Sequence, residues 1–322
     1  MTKESLKIVF MGTPQFAVES LKTLVEDKYN IVGVVTMPDK PIGRHQTDLS
    51  VSAVKQYALE QGLPILQPVS LRDEAFLEAL SSWNADLQIV VAFRMLPKEV
   101  WAMPPLGTFN LHAALLPQYR GAAPINWAVI NGETQTGITT FFLDHDIDTG
   151  NIIRRVPIPI LDTDNAGDVH DRLMHLGAKL VRETVDNILE GDLNTIPQET
   201  LAEGTILHTA PKLFRDTCRI QWADGVKRTY DFIRGLAPYP AAWTELVWGK
   251  QRQVLKIYAT EKEFSPQCFP TGTLQTDGKT FLKAALPDGW LHIKMLQLSG
   301  KRRMNIEEFL RGFHHKADMR LE

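Results

Sequence analysis

With two cysteines in 322 residues, Cys218 and Cys268, the chain cannot carry a disulfide framework. No Cys-His cluster has zinc spacing, so both cysteines are read as reduced, structural thiols and no metal is expected. No apolar run approaches the roughly 20 residues of a membrane span. The short apolar stretch at 8–11 is too brief for the core of a signal peptide, so a cytoplasmic protein without membrane contact is expected. Also missing is a dinucleotide fingerprint. Gly12-Thr13-Pro14 stands where a Gly-x-Gly-x-x-Gly would be needed, which disfavours a nicotinamide cofactor. There is no internal repeat and no low-complexity segment.

What is present is a soluble, globular composition, 44% hydrophobic and 23% charged, at a length that suits two domains. The net charge of −3 is unevenly spread. Residues 1–208 hold 16 Lys and Arg against 26 Asp and Glu, whereas residues 209–322 hold 19 against 12. An acidic front and a basic back suit either a polyanionic partner of the back half, with RNA the natural candidate, or a small domain that happens to be basic.

Residues 6–11 form an apolar run ending in Gly12-Thr13-Pro14. Phe16, Val18, Leu21, Leu24 and Val25 then share a helical face, and a β-branched run follows at 31–36. This strand–helix–strand opening predicts a parallel α/β sheet. Helices are expected at 54–61 and 74–80, and short strands at 64–66, 108–112 and 137–143. The nearly all-apolar 87–93 reads as a strand covered on both faces. A long amphipathic helix is expected over 165–190. A polar connector at 192–208 separates a first domain, 1–191, from a second, 209–322. In the second, a helix near 225–236 precedes five short alternating runs separated by Gly, Pro and Asp. They predict a small barrel, of which the oligonucleotide-binding barrel is one option.

The chemistry concentrates at one strand end. Asn110 and His112 lie two apart on an extended segment, so their side chains point the same way, and open α/β sheets bind ligands where strands end. The next strand leads into Asp144-His145-Asp146-Ile147-Asp148-Thr149-Gly150, whose Thr-Gly ending favours a tight turn holding Asp148 near that edge. An amide donor, an imidazole and a carboxylate suit acyl transfer without a covalent enzyme intermediate. The amide would serve an oxyanion, and the imidazole is the side chain that trades protons near neutrality. The same residues also fit a structural histidine beside a solvated acidic loop.

The run Asn110-Leu111-His112-Ala113-Ala114-Leu115-Leu116-Pro117-Gln118-Tyr119-Arg120-Gly121-Ala122-Ala123-Pro124-Ile125 closely resembles the signature of methionyl-tRNA formyltransferases. So do Ile8-Val9-Phe10-Met11-Gly12-Thr13-Pro14, Pro38-Asp39-Lys40-Pro41-Ile42-Gly43-Arg44 and Ile147-Asp148-Thr149-Gly150. The resemblance runs nearly the full length. It implies a Rossmann-like formyltransferase domain followed by an open β-barrel that helps hold tRNA. It also implies 10-formyltetrahydrofolate as donor and the α-amino group of methionine on initiator tRNA as acceptor, with a monomer expected. The family's catalytic Asn, His and Asp fall on Asn110, His112 and Asp148, and its folate-contacting Ser-Leu-Leu-Pro on Ala114, Leu115, Leu116 and Pro117.

The resemblance makes 36–55 an insertion that contacts the acceptor stem, with Arg44 and Lys55 as the candidate contacts. Its continuation, His45-Gln46-Thr47-Asp48-Leu49, is less basic than the family's. Ala114 replaces the usual Ser, and Phe93-Arg94-Met95-Leu96-Pro97 departs from the usual Ala-Tyr-Gly run on one wall of the pterin pocket. In the basic half, Lys301-Arg302-Arg303, Lys212 and Arg215 are candidate phosphate contacts, or else ordinary solvated cations. Trp222, Trp243 and Trp290 are expected in the barrel core. The competing readings are a formyltransferase for a small nucleotide or amino sugar, a tRNA-binding relative without catalysis, and a hydrolase of formylfolate.

Overall fold

The strand Leu87–Val91 is buried at all five positions, as a strand covered on both faces requires. In the computed structural model, which describes residues 1–42, 48–314, 316 and 318–322, it lies at the middle of a seven-stranded sheet. The spatial order is Ile152–Pro159, Gln135–Phe142, Thr108–His112, Leu87–Val91, Lys7–Gly12, Asn30–Val35, Ile65–Leu66. Lys7–Gly12 pairs in parallel with both Asn30–Val35 and Leu87–Val91, and Leu87–Val91 pairs in parallel with Thr108–His112. The predicted parallel sheet is therefore present. It has an antiparallel extension, because Thr108–His112 and Gln135–Phe142 run in opposite directions.

The chain leaves Lys7–Gly12 on one side, travels outward to Ile65–Leu66, and returns on the other side through Leu87–Val91. In open α/β sheets with such a reversal, ligands bind at the carboxyl ends of the strands, where Gly12, Val91 and His112 terminate. The helix Gln15–Glu26 buries Phe16, Ala17, Val18, Ser20, Leu21 and Leu24, its expected apolar face. The strand Ile152–Pro159 escaped the sequence reading. Ile152 and Ile153 are buried, but the exposed Arg154 and Arg155 that follow break the apolar pattern.

The chain forms two compact units. The first comprises Met1–Gly121, Gly137–Ile158 and His170–Thr209, and the second Ala122–Thr136, Pro159–Val169 and Ala210–Glu322. Residues 192–208, read from sequence as a connector, are tied into the first unit. Ile152 and Ile196 exchange backbone hydrogen bonds at 2.9 and 2.8 Å, and a short helix follows at Gln198–Ala202.

In the second unit the predicted short strands appear as Ala242–Trp248, Gln251–Phe264, Leu274–Thr276, Leu282–Leu286 and Gly289–Leu298. Antiparallel pairing links them in the order 274–276, 282–286, 289–298, 251–264, 242–248, with Arg320–Leu321 beyond the last. The two edges meet. The Leu321 amide donates to the Gly272 carbonyl at 2.9 Å, and Thr273 bridges Arg320, so the sheet nearly closes into a barrel. Gly272 has φ +83°, and a Cβ there would lie 2.2 Å from the Leu321 oxygen, so the closure needs glycine.

Alternating inward residues, including Leu255, Ile257, Leu291 and Ile293, fill the barrel with Trp222, Ile233 and Phe309. Each large apolar side chain buried this way contributes about 1.5–3 kcal/mol relative to exposure. The two segments drawn in from earlier in the sequence are held by specific bonds. Asn126 donates to the Gly235 carbonyl at 2.8 Å, and Trp127 to that of Pro211 at 2.8 Å. Tyr230 donates to the Asp162 carbonyl at 2.9 Å, and Arg234 to that of Asp164 at 2.7 Å.

Cys218 is buried beneath the barrel, where burial pushes its thiol pKa up, but Cys268 is exposed. Only the first fits the expected structural role. Trp222 and Trp290 are buried, as expected. Trp243 is half-buried, with Arg215 and Arg219 placed 5.4 and 5.3 Å from its ring.

A candidate active site at the strand ends

The strand Thr108–His112 puts Asn110 and His112 on one face, as their spacing requires. Asn110 is half-buried, and its amide makes no hydrogen bond among the described residues. A directed amide held on a strand without a protein partner is a donor available to a ligand. His112 is deeper, 5% exposed. Its Nε2 lies 2.9 Å from the Tyr119 carbonyl, which can only accept, so Nε2 carries a proton. The other ring nitrogen, Nδ1, faces the Asp148 carboxylate at 3.7 Å. The carboxylate thus stands where positive charge would develop if Nδ1 took up a proton.

Asp148 is fixed from three directions. Its backbone is left-handed, with φ 55°. Its Oδ2 accepts from the Gly121 amide at 2.9 Å, and its carbonyl accepts from the Gln198 side chain at 2.9 Å. Gln198 is fully buried and also donates to the Gly150 carbonyl at 2.8 Å, while its Oε1 accepts from Arg120 Nε and Nη2 at 3.0 and 2.7 Å. Arg120, Gln198 and Asp148 therefore form one chain of hydrogen bonds. Sequence reasoning missed Gln198 and Arg120. Gln198 lies in the polar stretch 192–208, and nothing in its neighbours marks it as buried.

The hairpin carrying Asp148 depends on Gly150. A Cβ there would sit 1.8 Å from the Phe142 carbonyl oxygen, so no side chain fits without moving the strand. Gly150→Ala is expected to cost about 3 kcal/mol and to depress any Asp148-dependent activity. Thermal denaturation checks this, and an unchanged midpoint would show that the hairpin accommodates the methyl group.

The remaining candidates are scattered. Ala114 and Leu116 are fully buried and Pro117 is buried too. The Ala114 carbonyl accepts from Thr139, and the Leu116 carbonyl from Arg155. Leu115 is half-buried, against Gly137. Ala114, Leu116 and Pro117 shape the turn from inside. In 93–97, Arg94 donates to the Val69 carbonyl at 2.8 Å and Leu96 is buried, while Met95 is 74% exposed.

Arg44 lies outside the described residues. Lys55 is paired with Asp39, and that hydrogen bond, with a second from Gln67, holds the Asp39 carboxyl below the ordinary range. Lys212, Arg215, Lys301, Arg302 and Arg303 are all exposed, but Arg302 is paired with Glu308 and Arg303 lies 3.6 Å from the centre of the Tyr258 ring. Among the described residues no group of three or more His, Cys, Asp or Glu is arranged to hold a metal. No described helix is long and apolar enough to cross a membrane.

Residues 6–185 match the formyl transferase family, and residues 212–314 match the formyl transferase C-terminal domain. The methionyl-tRNA formyltransferase of Bacteroides fragilis is 62% identical, over 98% of this chain and 97% of its own. The same-named enzymes of Parabacteroides distasonis and Phocaeicola vulgatus are 62% and 63% identical, over 99% and 100% of both chains. Among solved structures, the sugar 3N-formyl transferase WlaRD, crystallised with dTDP and 5-N-formyl-THF, is similar with TM-score 0.62 at 17% identity, over 92% of this chain and 99% of that one. HypX of Aquifex aeolicus, in complex with tetrahydrofolic acid, gives TM-score 0.63 at 17% identity, over 97% of this chain and half of HypX. At such identity these two show a shared fold. The match across both parts of the chain, with relatives of one name over its whole length, means that this chain belongs to the methionyl-tRNA formyltransferase family.

Proposed function

We propose that this chain transfers a formyl group from 10-formyltetrahydrofolate to the α-amino group of methionine on initiator tRNA. The observation that carries this reading is the Asn110 amide, unpartnered among the described residues, beside the buried His112–Asp148 pair at the strand ends of a chain of this family. The donor is a second substrate, and a free amide at a half-buried strand end fits a ligand carrying a carbonyl oxygen.

The amine attacks the formyl carbon. A new C–N bond forms, the bond from that carbon to the folate nitrogen breaks, and one proton passes from the amine to the departing nitrogen. Asn110 donates to the formyl oxygen as negative charge gathers there, a contribution of about 3 kcal/mol in comparable sites. Nδ1 of His112 receives the amine proton and returns it to the leaving nitrogen, with Nε2 held by Tyr119 so that the ring keeps its orientation. Asp148 balances the charge on the ring and helps remove the proton. Backbone groups of 114–117 and the wall at 93–97 would bound the folate pocket.

In this reading residues 1–191 carry the chemistry and 209–322 help to hold the tRNA. Arg44, Lys55, Lys212, Arg215, Lys301, Arg302 and Arg303 are the candidate phosphate contacts. Lys212, Arg215 and Lys301 have no carboxylate partner among the described residues, which supports them over Arg302. The protein would act as a monomer in the cytoplasm.

The test is formylation of charged initiator tRNA in competition with an amino-sugar nucleotide and a glycinamide nucleotide, with formate release measured in the absence of any acceptor. Preference for either small amine would overturn the acceptor, and acceptor-independent formate release would make the chain a hydrolase.

A further inference from the structure

The consecutive residues Tyr119, Arg120 and Gly121 reach both members of the His112–Asp148 pair. The Tyr119 carbonyl accepts from His112 Nε2 at 2.9 Å, and the Gly121 amide donates to the Asp148 carboxylate at 2.9 Å. Between them, the half-buried Arg120 turns to a neutral side chain. Its Nε and Nη2 both donate to Oε1 of Gln198, at 3.0 and 2.7 Å, and it has no carboxylate partner among the described residues.

That contact decides which way round the Gln198 amide lies. With Oε1 facing a cation, Nε2 faces the carbonyls of Asp148 and Gly150, at 2.9 and 2.8 Å. The reversed amide would set an NH2 group against the guanidinium and an oxygen against two carbonyls, so every one of these contacts would turn repulsive. A charged donor on the oxygen also polarises the amide and strengthens its N–H donors. Gln198 is 0% exposed, so the network is shielded from water.

The turn that carries Asp148 needs this hold. Residues 144–147 are exposed, and the turn's own side-chain bonds are local, from the His145 amide to Asp144 and from the Thr149 hydroxyl to the Asp146 carbonyl. The Gly121 amide fixes a single carboxylate oxygen, about which the backbone could still pivot. Gln198 adds a point on either side of Thr149, and three points define a position. The segment that brings Gln198 there does not depend on its side chain, because Ile196 and Ile152 exchange two backbone hydrogen bonds beside it.

We propose that Gln198, oriented by Arg120, is a positioning residue for formyl transfer. It keeps the Asp148 carboxylate 3.7 Å from His112 Nδ1, where it can balance a protonated ring. The inference rests on the reading of Asn110, His112 and Asp148 as the catalytic set.

Two variants of similar size test it in the whole chain. Gln198→Met keeps the volume and removes every hydrogen bond. Gln198→Glu still accepts from Arg120 but loses both donors to the turn. Each is expected to lower kcat for formylation of methionyl initiator tRNA by about 10–100-fold, with both KM values within about threefold of the parent. In the Asp148→Asn background, Gln198→Met should change kcat by less than about threefold, because it acts through a charge already removed. A residue needed only for the fold would show the same loss in both backgrounds.

A second readout is independent of the reaction. NMR follows exchange of the Gly121 amide proton, which the Asp148 carboxylate covers. Exchange is expected to be about tenfold or more faster in Gln198→Met, while the Ile152 and Ile196 amides keep the parental rate. A parent that does not formylate methionyl-tRNA overturns the functional reading and leaves the exchange result standing. Parental kcat in Gln198→Glu, an equal loss in both backgrounds, or unchanged Gly121 exchange overturns the positioning role. So does faster exchange at Ile152 and Ile196, which would make Gln198 a residue of the fold alone.

Discussion

Replacing His112 by alanine is expected to lower kcat/KM for formylation of methionyl initiator tRNA by about 10²–10⁴-fold while the protein stays folded. Its ring has one nitrogen committed to a carbonyl and the other facing a carboxylate, 3.7 Å away. Removing it deletes the proton acceptor and leaves Asn110 and the substrate-binding surfaces untouched, so the loss should fall on kcat more than on KM. The structural cost is the hydrogen bond to the Tyr119 carbonyl, the edge contact with the Phe141 ring and the cavity left behind, together about 2–4 kcal/mol. Asp148→Asn separates charge from position. Asparagine tolerates the positive φ and can still accept from the Gly121 amide, so the hairpin survives and only the negative charge disappears. Its kcat should fall as well, by less than in His112→Ala. Steady-state kinetics with both substrates varied decides the matter, and near-normal kcat in His112→Ala removes the assignment.

Arg234→Ala is expected to destabilise the barrel unit strongly, at about 3–5 kcal/mol. Asp231 and Arg234 are 3% and 7% exposed, and the arginine Nε donates to the carboxylate at 2.7 Å. Its Nη1 also donates to the Asp164 carbonyl at 2.7 Å and to that of Leu161 at 3.2 Å. Alanine leaves a buried carboxylate short of its partner and releases the segment Pro159–Val169. Lys227 also pairs with Asp231, which places the cost near the lower end. Urea denaturation measures the loss. A change below about 1 kcal/mol would mean that water replaces the guanidinium without penalty.

Much of this architecture was legible because its signals are local. Period-two alternation located the barrel strands, and the apolar Leu87–Val91 announced a sheet covered on both sides. Asn110 and His112 shared a face because two residues on a strand must. What stayed hidden was non-local. Gln198 holds Asp148 across 50 positions of sequence, and no residue near it signals that a glutamine will be fully buried there. Arg154 and Arg155 concealed an edge strand whose outer face is solvated. Trp243 looked like core by composition, but the two arginines beside its ring come from 215 and 219, positions that periodicity does not connect to it. The capture of 122–136 and 159–169 by the second unit was equally invisible, since it rests on side-chain bonds to residues about 70–110 positions later.

That capture has a consequence for the chain while it is being made. The Pro124–Ile130 helix packs against Val226–Leu236, and Ile130 rests on the barrel core, so its partner emerges about 100 residues later. At a ribosomal rate of about 5–20 residues per second, Ile130 waits roughly 5–20 s for that surface. The nascent protein thus carries an apolar helix that is finished early and covered late. It is during this interval, before the barrel residues arrive, that a chaperone or a premature stop would matter most.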